Sequence, residues 1–294
     1  MSKRALVIVN PRAGTRKSRK DMFEIVDRLS QEGYKVAAQT TTKQGDATEF
    51  VEKYGEKQNL IVCCGGDGTL NEVINGVLNK KLDAPLGYVP AGTTNDFART
   101  LQLPKKAEKS MDRILSGYPH AYDMGAFNGR KFTYIASLGA FTKVSYSTPQ
   151  KIKNALGHTA YLLEGVKEIG SIAPFKATFI ANDEIYEGEF LFGAISNSTS
   201  IAGLFKLNKL DVRLDDGEFE LTLIRNPKNI ADLNGILRGI VRGRYDPRYV
   251  VFTHAKEIEF HAEKPLSWTL DGESGGEHTD AKISVLRHAI KFMR

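Results

Sequence analysis

The chain has 294 residues, with 41 Lys+Arg against 35 Asp+Glu, 41% hydrophobic and 26% charged residues. This balance excludes disordered, collagen-like and fibrous chains, and the length fits about two domains of roughly 100–200 residues each. No stretch approaches the ~20 apolar residues that span a bilayer, and the five apolar residues after Arg4 are too few for a secretory leader.

In chain order, Ala5-Leu6-Val7-Ile8-Val9 is a continuous apolar run, the pattern of a strand buried on both faces. Residues 21–31 place Met22, Ile25, Val26 and Leu29 at helical spacing, with Gly33 as a stop. A strand is expected around residues 34–40. Asp46 is expected to cap a second helix through Phe50, Val51 and Tyr54. Leu60-Ile61-Val62-Cys63-Cys64 is the next buried strand, residues 70–78 the next helix, and residues 85–90 a strand bracketed by prolines. The two cysteines are adjacent, cannot staple a fold, and fit a reducing cytosol. This βαβαβαβ order predicts a doubly wound parallel sheet over residues 1–125.

After Asp123 the rhythm changes. Residues 132–138, 175–181, 184–195, 218–224, 250–260 and 266–270 read as strands, punctuated by Asn128-Gly129, Asn182-Asp183 and Asp216-Gly217. The expectation is α/β followed by all-β: an antiparallel, sandwich-like domain over residues 126–283, with the active site in a cleft between the two domains. Residues 284–294 can return to complete the first domain.

The sharpest local feature is Gly65-Gly66-Asp67-Gly68-Thr69-Leu70-Asn71-Glu72, directly after a buried strand and opening a helix. Three glycines in four positions permit a tight turn, and their N–H groups with the helix N-terminus form an anion nest. Asp67 beside a polyphosphate can hold Mg²⁺ or its water shell, and Thr69 and Asn71 can donate to phosphate oxygens. The other reading is a plain strand-to-helix turn with Asp67 as a cap. Two more polar loops follow neighbouring strands: Asn10-Pro11-Arg12-Ala13-Gly14 and Ala91-Gly92-Thr93-Thr94-Asn95-Asp96-Phe97. Ligands in open α/β sheets bind outside the carboxyl ends of strands, so three such loops together favour a nucleotide site.

No Gly-x-x-x-x-Gly-Lys-[Ser/Thr], protein-kinase signature or Gly-x-Gly-x-x-Gly fingerprint occurs, and the six histidines show no zinc spacing. The set of motifs resembles the diacylglycerol kinase catalytic-domain family, specifically its soluble bacterial members, over nearly the whole chain. Its carriers are Asn10–Gly14, Gly65–Glu72 continuing into Val73-Ile74-Asn75-Gly76, residues 92–99, Leu214-Asp215-Asp216-Gly217 and Asp271-Gly272-Glu273. Ala13 departs from the family's frequent Ser, which removes one hydroxyl contact. Gly-Gly-Asp-Gly-Thr alone is shared with NAD kinases; Asn71-Glu72 and the opening Asn-Pro loop favour the lipid-kinase branch.

The resemblance implies ATP as cofactor, held by Asn10, Pro11, Arg12, Ala13, Gly14, Thr41, Gly66, Asp67, Gly68, Thr69, Leu70, Asn71, Glu72 and Thr93. It implies that Asp271-Gly272-Glu273 faces the γ-phosphate, with Glu273 as general base and Asp67 and Asp271 beside it. A solvated turn is the other reading of that tripeptide. It also implies a structural Mg²⁺ held by Asp216 with backbone carbonyls near Arg213 and Glu218, although Asp216-Gly217 is equally a hairpin turn.

The net charge of +6 favours an anionic partner. Residues 1–20 hold seven basic and no acidic side chains, and Arg238, Arg242, Arg244 and Arg248 cluster around an expected helix over residues 231–242. Leu233, Ile236, Leu237, Ile240 and Val241 give that helix an apolar side, which can pack on the β domain or insert at an interface. The implied reaction is ATP- and Mg²⁺-dependent phosphorylation of diacylglycerol to phosphatidic acid. Another lipid (a sphingoid base, ceramide or phosphatidylglycerol) and, further off, NAD are the alternative acceptors. A cytoplasmic protein in peripheral contact with the anionic inner face of the membrane is expected, with no nucleic-acid partner and a homodimer left open.

Overall fold

A computed structural model describes residues 3–14, 18–92, 95–139, 173–201, 205–206 and 212–294. The chain divides into two compact units, Met1–Met124 with Arg287–Arg294, and Gly125–Leu286.

The first unit runs β1 (Arg4–Val9), α1 (Ser18–Gln31), β2 (Lys35–Thr40), α2 (Asp46–Tyr54), β3 (Leu60–Gly65), α3 (Asp67–Lys80), β4 (Leu86–Pro90), α4 (Asp96–Thr100), α5 (Ala107–Ser116) and the start of β5 (Pro119–Phe127). The sheet order is β2-β1-β3-β4, all parallel, with Val9 opposite both Thr40 and Cys64. β3, and β1 after the exposed Arg4, are apolar because both faces are covered. Ala5, Val7, Val9, Leu60, Val62 and Cys64 pack against Ile25 and Leu29 of α1 and Met111 and Ile114 of α5. Leu6, Ile8, Ile61 and Cys63 point the other way and are equally buried, on the side of α2 and α3. Each such Val, Leu or Ile contributes about 1.5–3 kcal/mol by leaving water.

Asp46 does not cap α2 as expected. It is the first helical residue, and its carboxylate turns back to accept the N–H groups of Thr42 (2.7 Å) and Lys43 (3.0 Å) and the Thr42 hydroxyl (2.8 Å). These bonds, the Thr42 N–H first, hold its carboxyl below the usual carboxylate range.

The second unit holds β6 (Arg130–Phe132), β7 (Ile135–Gly139), β8 (Phe175–Ala181), β9 (Glu184–Ser196), the short ladder β10 (Ser200–Ile201) with β11 (Phe205–Lys206), β12 (Phe219–Arg225), α6 (Ile230–Arg242), β13 (Val250–Ala255), β14 (Glu257–Leu270) and β15 (Glu273–Met293). Here β13, β12, β9, β7 and β14 lie side by side, all antiparallel. β7 and β8 share one lane between the long strands β9 and β14: Gly139 pairs with Phe192, and Phe175 with Phe190. Gly139 ends β7 at φ +83, and a Cβ there would lie 2.4 Å from Leu191 O. One face carries an aromatic-rich core of Phe132, Phe179, Phe190, Phe219, Phe260 and Trp268. The expected sandwich is thus, among the described residues, one bonded antiparallel sheet with a separate two-stranded ladder.

Two predicted strands are broken. Residues 132–138 split at Thr133-Tyr134, and 250–260 split at Lys256. The first break has a clear cause in the turn described below. β15 runs on into the first unit, where Phe292 pairs with Leu86 of β4. Within that unit His288 takes a positive φ of 50, and its N–H donates to the fully buried carboxylate of Asp123 at 2.6 Å.

Candidate active site

In the first unit the parallel order reverses direction between β1 and β3, because the connection from β1 leads to β2 on one side and β3 lies on the other. The loops at the carboxyl ends of β1, β3 and β4 meet there. Asn10 takes the ladder on by donating its N–H to Cys64 O at 2.9 Å, and its Nδ2 donates to Thr69 Oγ1 at 3.0 Å. Its Oδ1 accepts the Arg12 N–H at 2.9 Å, which closes the turn carrying Pro11 to Gly14. Gly14 has φ +55, and a Cβ there would sit 2.2 Å from Ala91 O. Gly92 and Gly66 pass so closely that a Cβ on Gly92 would meet Gly66 Cα at 2.6 Å. Glycine is required at Gly14 and Gly92; at Gly66 a Cβ would meet Gly92 Cα at 3.3 Å, a tight but smaller conflict.

α3 opens at Gly66, an extended residue with no side-chain cap. The Leu70 N–H already bonds Gly66 O at 3.0 Å, and the N–H groups of Gly68 and Thr69 ahead of it are left for a ligand, with the helix dipole behind them. In front, Gly68 is exposed, and a Cβ there would find nothing within 4 Å. Thr69 is buried, receives Asn10 and fills the space against Gly65. Leu70 is buried in the core and its N–H is taken by Gly66 O at 3.0 Å, so it offers the site no donor.

Three predicted contacts have structural partners. Glu72 accepts the N–H groups of Gly45 (2.9 Å) and Ala47 (3.1 Å), one on each oxygen, and so caps the neighbouring helix α2. Asn71 accepts Asn75 Nδ2 at 2.8 Å, one turn along α3. Asp67 Oδ1 accepts the Phe97 N–H at 3.4 Å. Burial pushes the Asp67 carboxyl above its ordinary range, against the pull of the Phe97, Asp96 and Asn95 N–H groups. Thr41 is buried at the end of β2 and donates its N–H to Val9 O at 2.9 Å. Arg12 is exposed and Ala13 buried. Thr93 lies outside the described residues, as do Arg16 and Lys17 of the basic N-terminal stretch.

Sequence reasoning missed Asn95. It sits in a left-handed conformation, and its amide brackets Gly92, accepting the N–H at 3.0 Å and donating to the carbonyl at 2.7 Å. The spacing Gly92 to Asn95 around two threonines is the signal that was available.

In the second unit Asp271 and Gly272 have φ of +49 and +87 and join β14 to β15 in a two-residue hairpin. Positive φ at both positions is the I′ geometry that Asp-Gly favours. The Asp271 carboxylate accepts three consecutive backbone N–H groups: Thr133 (2.5 Å), Tyr134 (2.9 Å) and Ile135 (3.1 Å). Those N–H groups bend toward one carboxylate and leave the ladder, which is why the predicted 132–138 strand breaks there. Glu273 follows, half-exposed, with Arg130 Nη2 at 3.9 Å from its Oε2. Arg130 also donates to Ser274 O at 2.6 Å.

Among the described residues, no group of three or more His, Cys, Asp or Glu side chains gathers to hold a metal ion. Asp216 Oδ1 accepts the Glu218 N–H at 3.0 Å around Gly217 at φ +84, and Arg213 is exposed. Among the described residues, no helix is long and apolar enough to cross a membrane. α6 buries Ile236 and Ile240, while Leu233 and Leu237 are half-buried.

A family model for the diacylglycerol kinase catalytic domain matches residues 4–127. Diacylglycerol kinase of Bacillus subtilis (strain 168) is 32% identical over 289 residues, covering 97% of this chain and 95% of that protein. The chain belongs to the diacylglycerol kinase family. Diacylglycerol kinase of Staphylococcus aureus (strain MRSA252) is 34% identical over 99% of this chain and 93% of its own length. A solved structure of a diacylglycerol kinase from Bacillus anthracis str. Sterne superposes with a TM-score of 0.78 at 22% identity, covering 99% of this chain and 96% of that one. A second chain from that organism gives 0.82 at 24% identity, with 99% and 95% coverage. These structures share the fold of this diacylglycerol kinase family member, a mixed α/β, strand-rich chain.

Proposed function

We propose that this chain transfers the γ-phosphoryl group of ATP to the free hydroxyl of diacylglycerol, giving phosphatidic acid and ADP. The observation that carries this reading is the convergence of three glycine-bearing loops on the uncapped N-terminus of α3. Polyphosphate needs backbone donors at close range, and only glycine lets the chain approach that closely. In this reading Asn10 orders the first loop, and the N–H groups of Gly68 and Thr69 in the first turn of α3 take the phosphates. Glu72 and Asn95 hold the surrounding loops and need not touch the nucleotide.

Mg²⁺ bound with a nucleotide takes most of its ligands from phosphate oxygens and water, so one or two protein carboxylates suffice. Asp67 fits that role, because a carboxylate whose charge burial disfavours gains from a cation. When bound, the ion would neutralise charge on the phosphates. For Asp216, one oxygen already serves the Glu218 N–H and no second side-chain ligand gathers among the described residues. We therefore derive nothing through a metal in the second unit.

Phosphoryl transfer asks the protein mainly for position and charge, plus a base for the acceptor proton. The lipid hydroxyl oxygen attacks the γ-phosphorus, the bond to the β-phosphate oxygen breaks, and Glu273 takes the hydroxyl proton. Asp271 is a positioning residue: its three backbone bonds fix the turn that presents Glu273.

The test is an acceptor panel with γ-labelled ATP and purified protein in mixed micelles. Label is expected in phosphatidic acid when diacylglycerol is offered. Label in NAD phosphate with none in any lipid would overturn the reading.

A further inference from the structure

α6 carries two glycines in its interior, Gly235 and Gly239, each costing roughly what a helix-weakening residue costs. Their purpose is close packing. A Cβ on Gly239 would lie 2.9 Å from Arg244 O, and one on Gly235 would lie 2.9 Å from the Tyr249 ring. Gly243, at φ +60, ends the helix, and the Arg244 N–H bonds back to Gly239 O at 3.1 Å. This is a Schellman-type return. It lays residues 244–249 against the glycine face, so Arg238 and Arg242 from the helix stand beside Arg244 and Arg248 from the return segment. Together they line a groove of about 630 Å³.

The acids nearby are used up. Asp246 is paired with Arg248 at 2.6 Å. Asp232 accepts the Tyr249 hydroxyl at 3.0 Å and the Lys228 N–H at 3.1 Å. Residues 225–249 hold six basic and two acidic side chains. Arg242 and Arg244 have no carboxylate partner among the described residues. A second groove of about 610 Å³ adjoins it, lined by Leu237 and Asn234 with Arg238 and Arg242, and Ile230 stands 79% exposed at the head of the helix.

We propose that this arginine groove is a docking site for the phosphate headgroups of an anionic phospholipid leaflet. Arginine forks suit phosphate oxygens, and the adjoining Leu237 and Ile230 suit the apolar boundary of a bilayer. A nucleic acid would ask for an open stacking ring, whereas the Tyr249 ring is covered by Arg248 at 5.2 Å. The proposal rests on the lipid-kinase reading for its purpose, but its test needs no turnover. It differs from helix insertion, since Ile236 and Ile240 of α6 are buried while Arg238, Arg242 and Arg244 are exposed.

The full chain is sedimented with phosphatidylcholine vesicles, with and without phosphatidylglycerol. Arg242→Gln/Arg244→Gln should lower retention by the phosphatidylglycerol vesicles about thirtyfold, at the usual strength of two juxtamembrane basic residues. Retention by pure phosphatidylcholine, melting temperature and transfer in neutral-detergent micelles should not change. Unchanged retention by the folded variant overturns the proposal, and so does an equal loss in the distant control Lys80→Gln/Lys81→Gln. If the double variant fails to fold, Asp246→Asn decides: releasing Arg248 should raise retention about fivefold, and no rise overturns the groove. Absence of any lipid phosphorylation would strike the functional reading alone and leave vesicle retention to judge the groove.

Discussion

Asn10 donates from its amide to the hydroxyl of Thr69 at 3.0 Å, tying the loop after β1 to the first turn of α3. The same side chain receives the Arg12 N–H, so one amide orders both the loop and its junction with the anion nest. Asn10→Ala should raise the KM for ATP five- to tenfold and lower stability by about 1 kcal/mol, the usual net worth of a hydrogen bond. ATP titration of initial rates alongside thermal melts checks this; a fall in kcat with KM unmoved would detach Asn10 from nucleotide binding.

Glu72 lies on α3, but its carboxylate belongs to α2 through Gly45 and Ala47. Glu72→Ala leaves two N–H groups at a helix start without their acceptor. It should cost about 1–2 kcal/mol in denaturant unfolding, while Glu72→Gln, which keeps one acceptor oxygen, should recover part of that. A variant of full stability with lost ATP affinity would make Glu72 a direct nucleotide contact instead.

The hairpin offers a paired test. Glu273→Gln should fold normally and bind ATP as before, while kcat falls about 10²-fold or more with loss of the base. Asp271→Ala should lower stability as well as turnover, because three N–H groups lose one shared acceptor. Melting curves and single-turnover rates separate the two. Equal stability of both variants would show that the turn does not depend on Asp271.

Glu220 on β12 is 1% exposed, one carboxyl oxygen is without a hydrogen-bond partner, and burial lifts its pKa to about 9, with Asp216 adding to the rise. The folded chain keeps a proton there that the unfolded chain releases above its ordinary value of 4.5. Stability therefore falls as pH rises from about 4.5 to about 9 and returns as pH falls. Glu220→Gln should flatten that slope and gain about 1–3 kcal/mol at pH 7. Urea unfolding at pH 5, 7 and 8.5 measures it; parallel slopes in the two proteins would refute the buried-acid account.

How much was legible beforehand differs by residue. The buried runs of β1, β3 and β4 could be read because strands covered on both faces must be apolar at every position. The glycines after them could be read because close backbone approach excludes a Cβ. Asp271-Gly272 could be read as a turn, but its positive φ at both residues comes from the structure. The sharing of one lane by β7 and β8 could not be read: β8 pairs with β9 as a local hairpin, but β7 joins the same strand through distant partners such as Gly139 with Phe192.

By itself, then, the sequence determined the strand-and-helix rhythm of the first unit and its three glycine-bearing loops, both properties of neighbouring residues. Only the tertiary structure decided what each carboxylate does. Glu72 finds Gly45 across 27 residues, Asp67 finds Phe97 across 30, and Asp271 finds Thr133 across 138. A motif shows that a carboxylate is present, but its backbone partner is set by where the chain returns. That return is fixed by the packing of whole elements, which no local pattern encodes.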